Sequence, residues 1–201
     1  MKKQLVTINL KKVNYISYAM LIVPFIFAVL LKFLVFKKIS YGVGYWDYLI
    51  IILGMPILFV CHECVHALFF MIGGAPKKSI KFGAIPKKMM LYCTTNEPIN
   101  KKAYAIALIM PLIITGVLPL IVAIVLLDWK YIFLFAGMIS GAAGDVVMII
   151  KLLKYKTAKM VLDHPKAPAF YLLYDENDLP NDFVEVTEGM EQKLLEEIGV
   201  K

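Results

Sequence analysis

The stretch Cys61-His62-Glu63-Cys64-Val65-His66-Ala67-Leu68-Phe69-Phe70 sets an H-E-x-x-H pentad inside a long apolar run. On an α-helix, residues four apart lie about 40° apart around the axis, so the imidazoles of His62 and His66 would stand side by side. Two ligands of one zinc ion need that arrangement. Glu63 falls about 100° from His62, within reach of a metal-held water without being a ligand, which suits it to take that water's proton. Ionisable groups inside a lipid-facing helix cost several kcal/mol, so such a cluster is a functional candidate by default. The plainer reading is a polar cluster that joins helices by hydrogen bonds.

The apolar run around the pentad extends from about Trp46 to Ile72, long enough to cross a hydrocarbon core of about 30 Å. Tyr45, Trp46 and Tyr48 form an interfacial belt at its start. Pro56 is expected to kink the helix and free a carbonyl near the pentad. Gly73-Gly74-Ala75-Pro76 ends it. Three more runs have the same character: Ile16 to Phe36, with Pro24 inside and Lys32 snorkelling to one interface; Ala103 to Leu127, with Pro111 and Pro119; and Tyr131 to Leu153, after an Asp128-Trp129-Lys130 turn. The first run is too long for a cleaved signal peptide, and no small-residue cleavage site follows it.

Sixty per cent hydrophobic residues, 18% charged residues and a mean hydropathy of +0.73 exclude an ordinary soluble domain. The expected fold class is an all-α integral membrane protein. It has four transmembrane helices over residues 1–155, a β-hairpin in one loop and a small soluble C-terminal tail over 156–201. Three Cys cannot make a disulfide framework. Cys61 and Cys64 have redox spacing but point away from the imidazole face of their helix, and are read as small apolar fillers.

The net charge of +7 hides an asymmetry: residues 1–155 hold 17 Lys against 5 acidic residues, and residues 156–201 hold 5 Lys against 10. Lysines flank the apolar runs without an interleaved aromatic stripe, which argues for a lipid bilayer as the partner and against nucleic acid. Lys2, Lys3, Lys11 and Lys12, the loop with Lys77, Lys78, Lys81, Lys87, Lys88, Lys101 and Lys102, and the flank with Lys151, Lys154, Lys156 and Lys159 all fall on one side. Lys37, Lys38 and Lys130 fall on the other. The positive-inside rule makes this a multi-pass protein of the cell membrane with both termini cytosolic.

The 76–102 loop holds two extended-looking pieces, Ser79 to Phe82 and Met89 to Thr95, around Gly83 and Pro86. It reads equally as a hairpin or as a basic connector. In the acidic tail, Phe170 to Tyr174 and Phe183 to Val186 look like strands, and Glu188 to Ile198 like an amphipathic helix.

A catalytic zinc needs a third protein ligand and one open position. His164 lies beyond the last span, Asp47 and Asp128 fall at the opposite face, and Glu97 sits in the loop. Asp145 is the one carboxylate inside the fourth span. His66 lies about 9 Å and Asp145 about 12 Å from the cytosolic ends of their helices, close to one depth. Gly137 and Gly141, with Gly144 beside Asp145, would let the fourth helix press against the second.

His62-Glu63-Cys64-Val65-His66 in a membrane helix, a polar loop after it, and Gly144-Asp145 in a later membrane helix resemble the site-2 protease group of intramembrane zinc metalloproteases. They resemble more closely a family of small bacterial zincin-type membrane peptidases, over roughly residues 45–155. That resemblance implies Zn2+ held by His62, His66 and Asp145, with Glu63 as the catalytic general base and acid. It also implies a membrane protein or peptide substrate laid as a strand near the loop after the metal helix. Site-2 proteases commonly carry Leu-Asp-Gly or Asn-Pro-Asp-Gly around the aspartate, where this chain has Ala143-Gly144-Asp145-Val146. No separate recognition domain is expected within these residues, which would leave substrate selection to the loop or the tail. The rival readings are a divalent-metal carrier or sensor built on the same three side chains, and a catalytically inactive membrane scaffold.

Overall fold

The computed structural model describes residues 1–36, 44–85, 90–126, 128–165 and 167–198. In chain order the elements are β1 (Lys2–Thr7), α1 (Leu10–Phe36), α2 (Tyr45–Ile72), β2 (Ile80–Ile85), β3 (Met90–Thr95), β4 (Ile99–Asn100) and α3 (Lys101–Pro111). A π-helical turn, Leu112–Val117, leads to α4 (Leu118–Leu126), α5 (Trp129–Gly141), α6 (Ala143–Lys154), β5 (Met160–Asp163), β6 (Ala169–Tyr174) and α7 (Glu188–Ile198). Four helical stretches are long and apolar enough to cross a membrane: Leu10–Val35, Tyr45–Ile72, Lys101–Val125 and Trp129–Lys154. The expectation of an all-α chain is corrected to a mostly helical fold with two small sheets. The expected outer loop with Lys37, Lys38 and Gly42, and Pro86, Lys87, Lys88, Met89 and Leu127, lie outside the described residues.

One compact unit takes in residues 10–65 and 109–146. Its helices turn large side chains such as Ile22, Phe27, Ile57 and Val60 outward and bury Ala28, Leu120, Ala123, Ile124, Ile132 and Ile139 against one another. This inverted dressing suits a bilayer, where lipid is as apolar as the core and close approach is what joins helices. A Cβ added at Gly137 would stand 2.5 Å from Met55 Cε, and one at Gly141 2.7 Å from Phe59 Cε1. These two glycines therefore make room for the ends of the Met55 and Phe59 side chains of α2. Gly144, by contrast, has nothing within 4 Å of such a Cβ.

Polar side chains inside this unit are spent on neighbouring helices. The Ser17 and Ser140 hydroxyls lie 2.8 Å apart, and Ser140 Oγ donates to the Ser17 carbonyl (2.9 Å). Lys32 does more than snorkel: its ammonium donates to the Ile124 carbonyl (3.1 Å) at the end of α4, where unsatisfied carbonyls and the helix dipole favour a cation. At the start of α2, Asp47 pairs with Lys130 (2.8 Å).

The other unit takes in residues 1–9, 66–108 and 147–201. Its four-stranded antiparallel sheet has the order β1-β6-β5-β4. β6 is the middle of a hydrophobic core: Phe170, Leu172 and Tyr174 are buried with Val6, Phe70, Tyr104, Leu152 and Val161. The expected hairpin is present as β2 and β3, paired from Ile80 with Thr95 to Ile85 with Met90. Buried Asp163 of β5 ties it in, accepting from the Thr95 amide (3.0 Å) and from the Tyr104 hydroxyl. Residues 183–186 are not a strand, although the Val186 amide donates to the Lys3 carbonyl (3.2 Å). Sequence periodicity overlooked β1, β4 and β5, and the lysines of β1 made it read as a plain juxtamembrane segment.

Candidate metal centre

The pentad lies in the C-terminal half of α2, which runs through Pro56 as one helix and ends in a Schellman turn. There Gly74 takes φ +98, its amide donates to the Met71 carbonyl (3.0 Å), and the Ala75 amide donates to the Phe70 carbonyl (2.9 Å). Because the helix is unbroken from His62 to His66, the two imidazoles sit one above the other as the spacing requires. Both are buried, at 3% and 4% exposure, and Glu63 between them is 9% exposed. The cost of burying such groups is met by specific partners.

His62 Nδ1 is 3.1 Å from Thr115 Oγ1. His66 donates from Nδ1 to the Ala107 carbonyl (2.9 Å) and stacks on Phe70 at 6.1 Å. His62 Nε2 faces Asp145 Oδ2 at 3.3 Å. Asp145 lies in the first turn of α6, because the fourth span is two helices that meet at Ala142 rather than one rod. Across the join the Ala142 amide donates to the Met138 carbonyl (3.2 Å) and the Val146 amide to the Ala142 carbonyl (3.0 Å).

One ligand atom from each of His62, His66 and Asp145 lies within 4.8 Å of the others. Among the described residues this is the one group of three or more His, Cys, Asp or Glu placed to hold an ion. Zinc takes N and O ligands at about 2.0–2.2 Å in a tetrahedron, whose edge is then about 3.3–3.6 Å. The separation between His62 Nε2 and Asp145 Oδ2 falls on that edge. Two imidazoles and a carboxylate also match the donor set of zinc enzymes that bind the metal through two histidines and one acidic residue and keep the fourth position open.

The remaining candidates are placed elsewhere. Cys61 and Cys64 are exposed on the outer face of α2. His164 is buried beside the Tyr171 ring at 5.5 Å. Asp47 and Asp128 both reach Lys130, and the Glu97 amide donates to Thr95 Oγ1 at 3.3 Å. Sequence reasoning missed Thr115 and the Ala107 carbonyl. The available signal was Pro111, which cannot donate to the carbonyl four residues before it, with a hydroxyl residue one turn further on in an otherwise apolar span.

A family model described as "Putative zincin peptidase" matches residues 55–160, a stretch that contains the pentad, Thr115 and Asp145. No curated protein and no solved structure matches the chain. Zincins are zinc peptidases, and the donor set assembled at α2 fits that metal.

Proposed function

The chain belongs to the family described as "Putative zincin peptidase", and on that premise we propose that it is an intramembrane zinc metalloendopeptidase of the HExxH type, similar to site-2 proteases. It cleaves membrane-associated proteins or peptides near the cytosolic face. The observation that carries this reading is the convergence of His62, His66 and Asp145 beside a buried glutamate in a helix apolar enough to span a bilayer.

In this reading His62, His66 and Asp145 hold the ion and leave one position open. Zinc held there would supply Lewis acidity, lowering the pKa of water and polarising the scissile carbonyl. The Glu63 carboxylate takes the proton from the attacking water and returns it to the leaving amide nitrogen. Burial of Glu63 and both histidines keeps bulk water from competing for these contacts. A spanning substrate is helical and must unwind before its peptide bond can be reached. The β2–β3 sheet has only two strands, so an extended segment can add to one of its edges.

Charge and the sheet support an orientation with both termini in the cytosol. β1 precedes the first span, β4 lies between the second and third, and β6 follows the fourth, yet all three belong to one sheet. Strands of one sheet lie on one side of a membrane, so four crossings satisfy the connectivity. The lysine distribution favours the cytosol as that side. Residues 1–155 then form the catalytic membrane domain, and 156–201 an acidic cytosolic tail that lends β5 and β6.

The test is Glu63→Gln in the purified chain, assayed with a membrane-inserted reporter peptide and for bound zinc. The variant keeps wild-type zinc and loses cleavage. Undiminished cleavage refutes the role of Glu63. Zinc transport into vesicles by both proteins, with no cleavage by either, would favour a carrier.

A further inference from the structure

We propose that Pro111 and Thr115 are positioning residues that hold both metal-facing histidines with the hydrogen on Nδ1, leaving each Nε2 lone pair for the ion. The starting point is backbone chemistry. Pro111 has no N–H, so the Ala107 carbonyl, its partner in an ordinary α-helix, loses the donor four residues on. Ala107 is fully buried, and its carbonyl instead accepts from His66 Nδ1 (2.9 Å). A carbonyl oxygen can only accept, so the hydrogen of that contact belongs to His66 Nδ1.

The second histidine is set by the same proline through a different route. After Pro111 the helix widens into the π-helical turn Leu112–Val117, which closes with the Leu118 amide donating to the Ile113 carbonyl. Widened turns of this kind are frequent at functional sites because they displace side chains from the regular helical face. Thr115 lies in this turn, buried, and its hydroxyl donates to the Pro111 carbonyl at 2.7 Å. A hydroxyl has one hydrogen, and this bond uses it. Toward His62 the Thr115 oxygen is therefore an acceptor, and the hydrogen of the 3.1 Å contact belongs to His62 Nδ1. Were it reversed, the Thr115 and Pro111 oxygens would face each other at 2.7 Å with no hydrogen between them.

Both imidazoles are thus fixed in the same tautomer. His62 Nε2 presents a lone pair to Asp145 Oδ2 at 3.3 Å, two acceptors at the spacing of neighbouring zinc ligands. Outer contacts of this kind orient metal-bound histidines, and their loss typically weakens metal binding by about 10- to 100-fold. The inference rests on the metal site proposed above: without an ion the Asp145 carboxylate competes for a hydrogen on His62 Nε2, so the His62 assignment is that of the zinc-loaded protein, whereas the Ala107 carbonyl sets His66 with or without metal.

The experiment is nitrogen NMR of histidine-labelled full-length protein in a bilayer mimic, metal-free and zinc-loaded, at a pH where the imidazoles are neutral, paired with zinc affinity. In the wild type, His66 reports hydrogen on Nδ1 in both states and His62 reports it in the zinc-loaded state. Thr115→Val removes the hydrogen-bond shift at His62 Nδ1, leaves His66 unchanged and weakens zinc binding by about tenfold or more. Thr115→Ser restores the wild-type pattern, and Pro111→Ala, which returns an N–H to compete for the Ala107 carbonyl, moves metal-free His66. Hydrogen on Nε2 of wild-type His66, or zinc on Nδ1 of wild-type His62, overturns the proposal even if no variant folds, as does a Thr115→Val spectrum identical to wild type. Hydrogen on His66 Nδ1 in a wild-type protein that binds no zinc upholds the role of Pro111 and refutes the proposed function instead.

Discussion

Asp145 supplies the one negative charge of the candidate site whose position depends on a second helix, and its Oδ2 stands 3.3 Å from His62 Nε2. Asp145→Asn keeps the shape and removes the charge, so zinc affinity should fall by more than about tenfold while the fold persists. Competition with a coloured chelator measures this, and an unchanged affinity would move the third ligand elsewhere. The histidines and the glutamate were legible because H-E-x-x-H is a local pattern whose geometry any helix enforces. Depth singled out Asp145, a weaker argument, and the structure brings its carboxylate within 4.8 Å of both imidazoles. Thr115 was not legible: its contact with His62 depends on a turn that hydropathy does not register.

That turn belongs to the scale of elements. Apolar length located all four helical stretches long and apolar enough to cross a bilayer, although the first begins at Leu10 rather than Ile16. It could not show that the third span contains a π-helical turn or that the fourth breaks at Ala142, because neither changes composition. Both irregularities carry site residues, Thr115 and Asp145. Gly116 marks how tightly the π turn is held. A Cβ there would lie 2.9 Å from Ile139 Cγ1 and 3.3 Å from the Ile139 backbone nitrogen, and a backbone atom cannot swing away. Gly116→Ala should cost about 1–3 kcal/mol by overpacking. Gly144→Ala, with open space around it in a helix, should be neutral or stabilising by up to about 1 kcal/mol. Thermal unfolding of the two variants in one detergent checks the contrast; equal effects would contradict it.

For the molecule as a whole, sequence reading divided the chain into a membrane part and an acidic tail, and the structure ties the ends of the chain together. Lys2 pairs with Tyr174 and Thr7 with Ala169, while Ile99 pairs with Val161. Long-range pairing of this sort leaves little local trace, since β1 carries its lysines on a half-buried strand and β4 has two residues. What the whole chain achieves in this account is the placement of one zinc ion among His62, His66 and Asp145, with no sulfur in its shell. Zinc-edge X-ray absorption of the purified wild type tests this most directly. Nitrogen and oxygen neighbours at about 2.0–2.2 Å, including imidazole scattering from two histidines, are the expected result. A sulfur shell near about 2.3 Å, or an imidazole contribution that survives replacement of both His62 and His66 by Ala, would contradict the account.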